Sequence, residues 1–414
     1  MHSNKSVLLK NVRPLVNGEF QAEQNICLLC NCESGQKSEV KQEINAKGLL
    51  ALPTLYALGV DFREPNRDDV YSFADGFEAM KRGGFTSALY ESAANPIDDL
   101  PKLRSIRQIC NKKFNISFLA SLSVENLHKN ISEMLELSNG GAFGFGDGSH
   151  PVGNLRFLRM ALEYGNITGK TFYLHPLEPN LAQAGTVHEG VYSDTMGFKG
   201  IPEQAETIAV YQILELSKWF DTPVHLREIS CAWSLSLIAQ AKKQGVKVSC
   251  DVGIYHLLFD DSSLTSLSSE FRFNSPLRTA KDRERLWKGL LNGTIDKISV
   301  NHFPVRPQDK QTNFEDSVAG SVSLEIALSA LWQEAANQTE GHPEKIFEWL
   351  GDEPKKQMGI DDANKNLILF DPECEWTVTE KTFAGAVCNT PLLNKTLKGK
   401  IVGTYINSVW NKVD

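Results

Sequence analysis

The feature that most limits what this chain can fold into is a strand–helix–strand rhythm repeated between residues 52 and 365. The unit Val224–Val252 shows it most clearly. Val224–Ile229 reads as a strand. Trp233–Gln244 then carries Leu235, Ile238 and Ala241 at helical spacing, with Leu237 beside them and Gly245 at the expected stop. Val246–Val252 reads as the next strand. Ahead of this unit, Pro202 opens a helix at its first turn, with Ala205, Ile208, Ile213 and Trp219 on or near one face. Repeated βα units on this scale favour a closed (β/α)8 barrel over an open sheet. No G-x-G-x-x-G follows a strand and opens a helix, and no P-loop or internal repeat is present.

The stretch Leu52–Asn66, LPTLYALGVDFREPN, begins as an apolar run and ends in the charged turn Asp61-Phe62-Arg63-Glu64-Pro65. An apolar strand that delivers polar residues at its C-terminal end is how a parallel barrel presents a site.

A chain of 414 residues suits one large barrel with an appendage, or two to three domains. The net charge of -8 argues against a nucleic-acid binder, which needs a basic surface. The start, Met1–Ser6, leads into no signal-peptide core, and the longest apolar stretch, Leu49–Val60, is too short to span a bilayer. The expectation is a cytoplasmic protein that binds no membrane. Eight cysteines in such a length do not suggest a disulfide scaffold. Cys27, Cys30 and Cys32 have the spacing of zinc thiolates, but no second Cys or His pair follows, so small buried hydrophobes are the better reading.

Residues 1–48 read as short strands and turns: Ser6–Val12, a turn at Asn17-Gly18, then Asn25–Leu29, with Lys37–Gln42 as a polar break. The C-terminal end has the same character, with strand candidates Asn366–Phe370, Glu375–Val378 and Gly399–Ile406. Asn389-Thr390-Pro391 and Lys398-Gly399-Lys400 read as turns.

Arg63-Glu64-Pro65 preceded by Phe62 resembles the first barrel strand of the dihydroorotase branch of the cyclic amidohydrolases, whose signature is roughly Pro-Gly-x-x-Asp-x-His-x-His, an apolar residue, then Arg-Glu-Pro-Gly. The likeness extends along the chain. Gly197-Phe198-Lys199-Gly200-Ile201-Pro202, with Ala205-Glu206, is similar to the family's segment after the fifth strand. Asn274-Ser275-Pro276-Leu277-Arg278 resembles its Asn-Pro-Pro-Leu-Arg, and Leu291-Asn292-Gly293-Thr294-Ile295-Asp296 resembles its approach to the eighth strand. The resemblance implies an α/β fold: an amidohydrolase-type TIM barrel over 52–365, with a composite β-sandwich formed by 1–51 and 366–414.

It also implies chemistry on a metal-bound hydroxide that opens or closes a cyclic amide. The family's ligands are two strand-one histidines, a carboxylated lysine on strand four, one histidine each on strands five and six, and a strand-eight aspartate that also moves the proton. Here the strand-one histidine positions hold Gly59 and Asp61, while the family Asp and final Gly are Ala57 and Asn66. The lysine region aligns to Gly144–Gly148, with Gly146 at its centre and no lysine between Lys129 and Lys170. Strands five and six keep His175 and His225 as residual ligand positions. The catalytic aspartate is Asn301, which accepts no proton at neutral pH. Among the substrate positions Arg63, Asn274 and Arg278 survive, whereas a loop asparagine is Ala93, in the segment Glu91–Pro96, and a late histidine is Val305.

The expectation that follows is a dihydroorotase-family chain whose catalytic machinery is dismantled, with no cofactor and no catalytic residue. His256 and His302 read as core histidines, and His175 and His225 as structural. The resemblance suggests aspartate transcarbamoylase as a partner and a homodimer otherwise. Two alternatives stand beside this. One is a working hydrolase with a rearranged zinc site of His175, His225 and Asp61, using Asp147 or Glu178 as base. The other is a dihydroorotate sensor that binds through Arg63, Asn274 and Arg278.

Overall fold

The structure, a computed structural model, describes residues 6–28, 40–92, 95–110, 114–359 and 366–413. Eight parallel strands form the barrel: β1 Leu55–Val60, β2 Phe85–Tyr90, β3 Asn115–Ala120, β4 Gly144–Phe145, β5 Phe172–Leu174, β6 Val224–Leu226, β7 Val248–Gly253 and β8 Lys297–Ser299. They are neighbours in that order. The ring closes where the residues after β8 return to β1: Val300 N–H donates to Leu58 O at 2.9 Å and His302 N–H to Gly59 O at 2.8 Å.

All residues of β1 and β2 are buried, because helices cover the outer face and side chains fill the inner one. The period of two decides which is which. Tyr56, Leu58, Leu89, Leu119 and Tyr173 form one packed cluster inside the barrel, while Leu55, Ala57, Ala88 and Tyr90 belong to the larger core under the helices, which Val60 joins because the register shifts between Leu58 and Val60. Lys355 closes the N-terminal mouth by donating to Thr54 O. The open end is the C-terminal one, where the polar turn residues lie.

The helix Glu203–Phe220 corrects one reading. Its buried face is Ala205, Glu206, Ala209, Val210, Ile213, Leu214 and Ser217, whereas Ile208 is 40% and Trp219 81% exposed. Burial follows the i, i+3, i+4 stripe that faces the barrel, and both apolar residues fall off it. The flanking strands are shorter than expected: Val224–Leu226 stops before Arg227, and β7 begins at Val248.

The terminal segments share one sheet. Ser6–Val16 pairs with Glu19–Phe20 and Gln24–Leu28 antiparallel, and with Val40–Asn45 and Leu50–Leu52 parallel. Leu50–Leu52 then pairs with Leu367–Thr377, which pairs with Thr396–Ile406, and Val409–Lys412 forms the edge. Asn17 and Gly18 both have positive φ and make the expected hairpin turn. The polar break is corrected at Val40–Gln42, which belongs to a strand, since edge pairing needs backbone groups and tolerates charged side chains. Lys398-Gly399-Lys400 is likewise no turn. Gly399, at φ 93, sits in an irregularity of the ladder opposite Asp371–Glu375, where a Cβ would lie 2.5 Å from the Phe370 ring. Leu29, Cys30, Cys32 and Ala93 lie outside the described residues.

Candidate functional site

At the end of β1 the chain takes a left-handed step at Gly59, φ 78. A Cβ there would stand 2.8 Å from Nη2 of Arg227 and 3.1 Å from Oδ1 of Asn301. The strand-one glycine is therefore what a close approach by an arginine from across the barrel requires.

Arg227 directly follows β6 and is 1% exposed. Its Nε donates to Asp251 Oδ2 on β7 at 3.0 Å, its Nη1 donates to Glu91 after β2, and its Nη2 lies 3.8 Å from Glu228 Oε1. Burial alone would lower its pKa, but Glu91, Asp251 and Glu228 outweigh that and hold it above the usual arginine value. Asp251 answers in the opposite sense. Burial pushes it up, yet Arg227 and a hydrogen bond from His225 keep it well below the normal carboxylate range. Its Oδ1 also accepts from Ser299 Oγ at 2.8 Å and from the Glu228 N–H at 2.9 Å. Burial beside Asp251 and Glu91 pushes Glu228 up to about 8, against the pull of Arg227. Removing an ion from water costs several kcal/mol unless partners replace the hydration; the network supplies them at Nε and Nη1 of Arg227, whereas Nη2 and Glu91 Oε1 are buried with no hydrogen-bond partner.

The candidate residues distribute around this centre. His225 pairs in register with Tyr173 and Ser249, so it sits deeper in the barrel than Arg227. Its Nδ1 lies 2.7 Å from Ser249 Oγ and its Nε2 2.9 Å from Asp251. Burial and Lys297 lower its pKa to about 4, so the neutral ring accepts from the serine and donates to the aspartate, leaving no nitrogen for a metal. His175 is different: its Nδ1 is buried without a partner, and burial with the nearby Arg227 lowers its pKa to about 3. A cation beside that guanidinium would be repelled.

Asp61 is fully buried and spent on Arg63, accepting from its N–H at 2.8 Å and from Nη1 at 3.1 Å. Arg63 donates again from Nε to Pro304 O at 2.8 Å. Its carboxylate partner is thus Asp61, while Glu64 Oε2 accepts from the Phe73 N–H. Asp147 is held by the Leu122 N–H at 2.7 Å and by His128 at 2.9 Å, apart from Asp61's partners. Glu178 caps the short helix Pro179–Ala182. Arg278 donates to His188 Nδ1 at 3.0 Å, Ile201 O at 2.8 Å and Ser230 Oγ at 3.2 Å, and Asn274 is half-buried. Gly146 has no room for any side chain, since a Cβ would meet Tyr173 O at 2.6 Å. Asn301, at φ 50, has an unpartnered Oδ1 facing Gly59. Val305 is a buried apolar residue, and His256 and His302 bond to backbone groups. His175, His225 and Asp61 therefore do not form the three-ligand site of the alternative reading.

Sequence reasoning missed Arg227, Glu91 and Asp251 as a unit. The available signal was three buried charged residues on the barrel strands: Glu91 and Arg227 directly after β2 and β6, and Asp251 within β7.

No family model matches the chain. The dihydroorotase of Carboxydothermus hydrogenoformans is 31% identical over 378 residues, covering 88% of this chain and 87% of that protein. The chain belongs to the dihydroorotase family. The dihydroorotase of Pelotomaculum thermopropionicum is 30% identical, covering 86% of this chain and 85% of its own length. A "probable dihydroorotase-like protein" of Synechocystis is 28% identical, with 87% and 88% covered. Among solved structures, the L-hydantoinase of Arthrobacter aurescens superposes with a TM-score of 0.83 at 18% identity, covering 98% of this chain and 95% of its own. The fold is thus that of the amidohydrolase barrels.

The metal that family membership implies does not fit the residues here. Among the described residues no group of three or more His, Cys, Asp or Glu side chains is placed to hold an ion. The buried carboxylates Glu91 and Asp251 already have a cation, and it is Arg227. No helix among the described residues is long and apolar enough to cross a membrane.

Proposed function

We propose that this dihydroorotase-family chain is a non-catalytic, cytoplasmic member that serves as a binding partner of aspartate transcarbamoylase. One observation carries the non-catalytic reading: Arg227 lies against Gly59 and pairs with Glu91 and Asp251, where the family's chemistry needs a bound cation. Asn301 offers an amide where a base is required, so neither half of a hydrolytic step has its group.

A second observation favours a partner. Ile208, Tyr211 and Trp233 line a groove between the helices Glu203–Phe220 and Ala232–Lys243, and Tyr211 and Trp233 are 55% and 68% exposed. Large exposed aromatics rimmed by polar residues mark interaction surfaces. The proposed contact surface is therefore this outer helix pair.

Two assays test the proposal. The purified chain, with and without added zinc, is offered dihydroorotate and carbamoyl aspartate; no conversion is expected, and turnover abolished by His175→Ala overturns the reading. Co-expression with aspartate transcarbamoylase, followed by size-exclusion chromatography with light scattering, should give one complex. Separate elution at micromolar concentration, with unchanged transcarbamoylase activity on mixing, removes the partner from the proposal.

A further inference from the structure

A cleft of about 490 Å3 lies between the barrel and the terminal sheet, lined by none of the family site residues. The helix Phe73–Gly83 brings Lys81 and Arg82 to it in its last turn. Lys381, Lys400 and Lys412 come from the C-terminal segment on the other side. Lys412 has a partner of its own; against the other four cations, the described lining residues set two carboxyls, Glu78 and Glu325, in a chain whose net charge is -8. Gathering cations in one cleft of an acidic protein focuses a field that only an anion can use.

The cleft is also built. Glu78 is already held by Lys81 and, at 3.1 Å, by Arg82. The Lys400 ammonium sits 5.9 Å from the centre of the Trp376 ring, and Trp376 Nε1 is fixed on Gly399 O at 2.8 Å. Glu325, 7% exposed, accepts from the Ala384 N–H through Oε1 at 2.9 Å, and its buried Oε2 has no partner. Burial pushes that carboxyl up to about 7, so at neutral pH much of it is an acid with a hydrogen to donate. Ser329 and Thr377 add hydroxyls to the lining.

We propose that this cleft is a binding site for a small molecule bearing a di- or triphosphate group, held by Lys81, Arg82, Lys381 and Lys400. The volume suits a small anion, and compact phosphates meet several cations at once. The site stands apart from the barrel mouth and does not depend on whether the barrel is catalytic.

Isothermal titration calorimetry on the full chain tests it, with inorganic pyrophosphate as probe, adenosine diphosphate as the nucleotide arm and orthophosphate as control. The expected result is 1:1 binding of pyrophosphate with a Kd below about 100 μM at low salt, weakening as ionic strength rises. Tighter binding of adenosine diphosphate identifies a nucleotide as the occupant, and equal binding identifies the phosphates alone. Lys381→Glu with Lys400→Glu, both on the cleft rim, should weaken binding at least tenfold while leaving the unfolding midpoint within a degree or two. No saturable binding below about 1 mM for either probe, or binding that survives the double charge reversal, overturns the proposal.

Discussion

The Arg227 guanidinium donates from Nε to Asp251 across 3.0 Å, tying the end of β6 to β7 at the centre of the barrel mouth. The same group reaches Glu91 beyond β2. One side chain thus neutralises two buried carboxylates from opposite sides of the ring. A bound cation would otherwise have that task.

Loss of this group should be costly. Arg227→Met keeps much of the volume but leaves Asp251 and Glu91 buried without a counter-cation, and breaking a buried pair in this way costs about 3–5 kcal/mol. The expected outcome is a large fall in the midpoint of chemical unfolding. Asp251→Asn in the Arg227→Met background should cost much less than the two changes summed, because the second removes a charge the first has stranded.

Gly59 is locked by the same arginine. Gly59→Ala places a Cβ 2.8 Å from Arg227 Nη2 at φ 78, so both contact and backbone resist it. The expected loss is about 1–3 kcal/mol by thermal or chemical unfolding. In an Arg227→Met background the contact is relieved and the cost of Gly59→Ala should shrink.

Glu228 sets a pH dependence. In the folded chain it keeps its proton up to about 8, while in the unfolded chain it ionises in the ordinary carboxylate range. Between those values the folded state binds more protons, so the stability it contributes is full at low pH, falls as pH rises, and levels off above about 8. Glu228→Gln removes this slope. Its stability relative to wild type should rise from little difference near pH 4.5 to a gain on the order of 1 kcal/mol or more at pH 8.

Much of the barrel was legible because apolar strands buried on both faces leave near-continuous runs, as in Leu55–Val60, and the Arg63-Glu64-Pro65 turn marks where the first one ends. The exposed face of Glu203–Phe220 was less legible. Trp219 and Ile208 look like core residues until the neighbouring helices show which stripe is covered. The site was legible as a set of missing groups, at Gly59, Gly146 and Asn301, but its replacement was not. Arg227 and Asp251 sit 24 residues apart in sequence, and only the parallel register of β6 and β7 makes them neighbours. His225 illustrates the same limit, since its role depends on Ser249 and Asp251, which reach it across the ladder.

A surface prediction is independent of the barrel. Trp233→Glu and Tyr211→Glu alter exposed residues, so each should leave the unfolding midpoint nearly unchanged, within the roughly 0.5 kcal/mol usual for surface substitutions. Both should weaken the proposed complex with aspartate transcarbamoylase, read as a shift to separate elution in size-exclusion chromatography.

Asn301→Asp should not start hydrolysis, because a restored carboxylate supplies a base but no activated water. The variant, assayed with dihydroorotate in excess zinc, is expected to show the same background as wild type.

The central claim is that Arg227 takes the place of a metal cation in the barrel mouth. Elemental analysis of the chain, expressed in zinc-supplemented medium and purified without chelator, tests it most directly. The expected content is far below one zinc per chain in wild type. One zinc per wild-type chain, lost on His175→Ala, would contradict it.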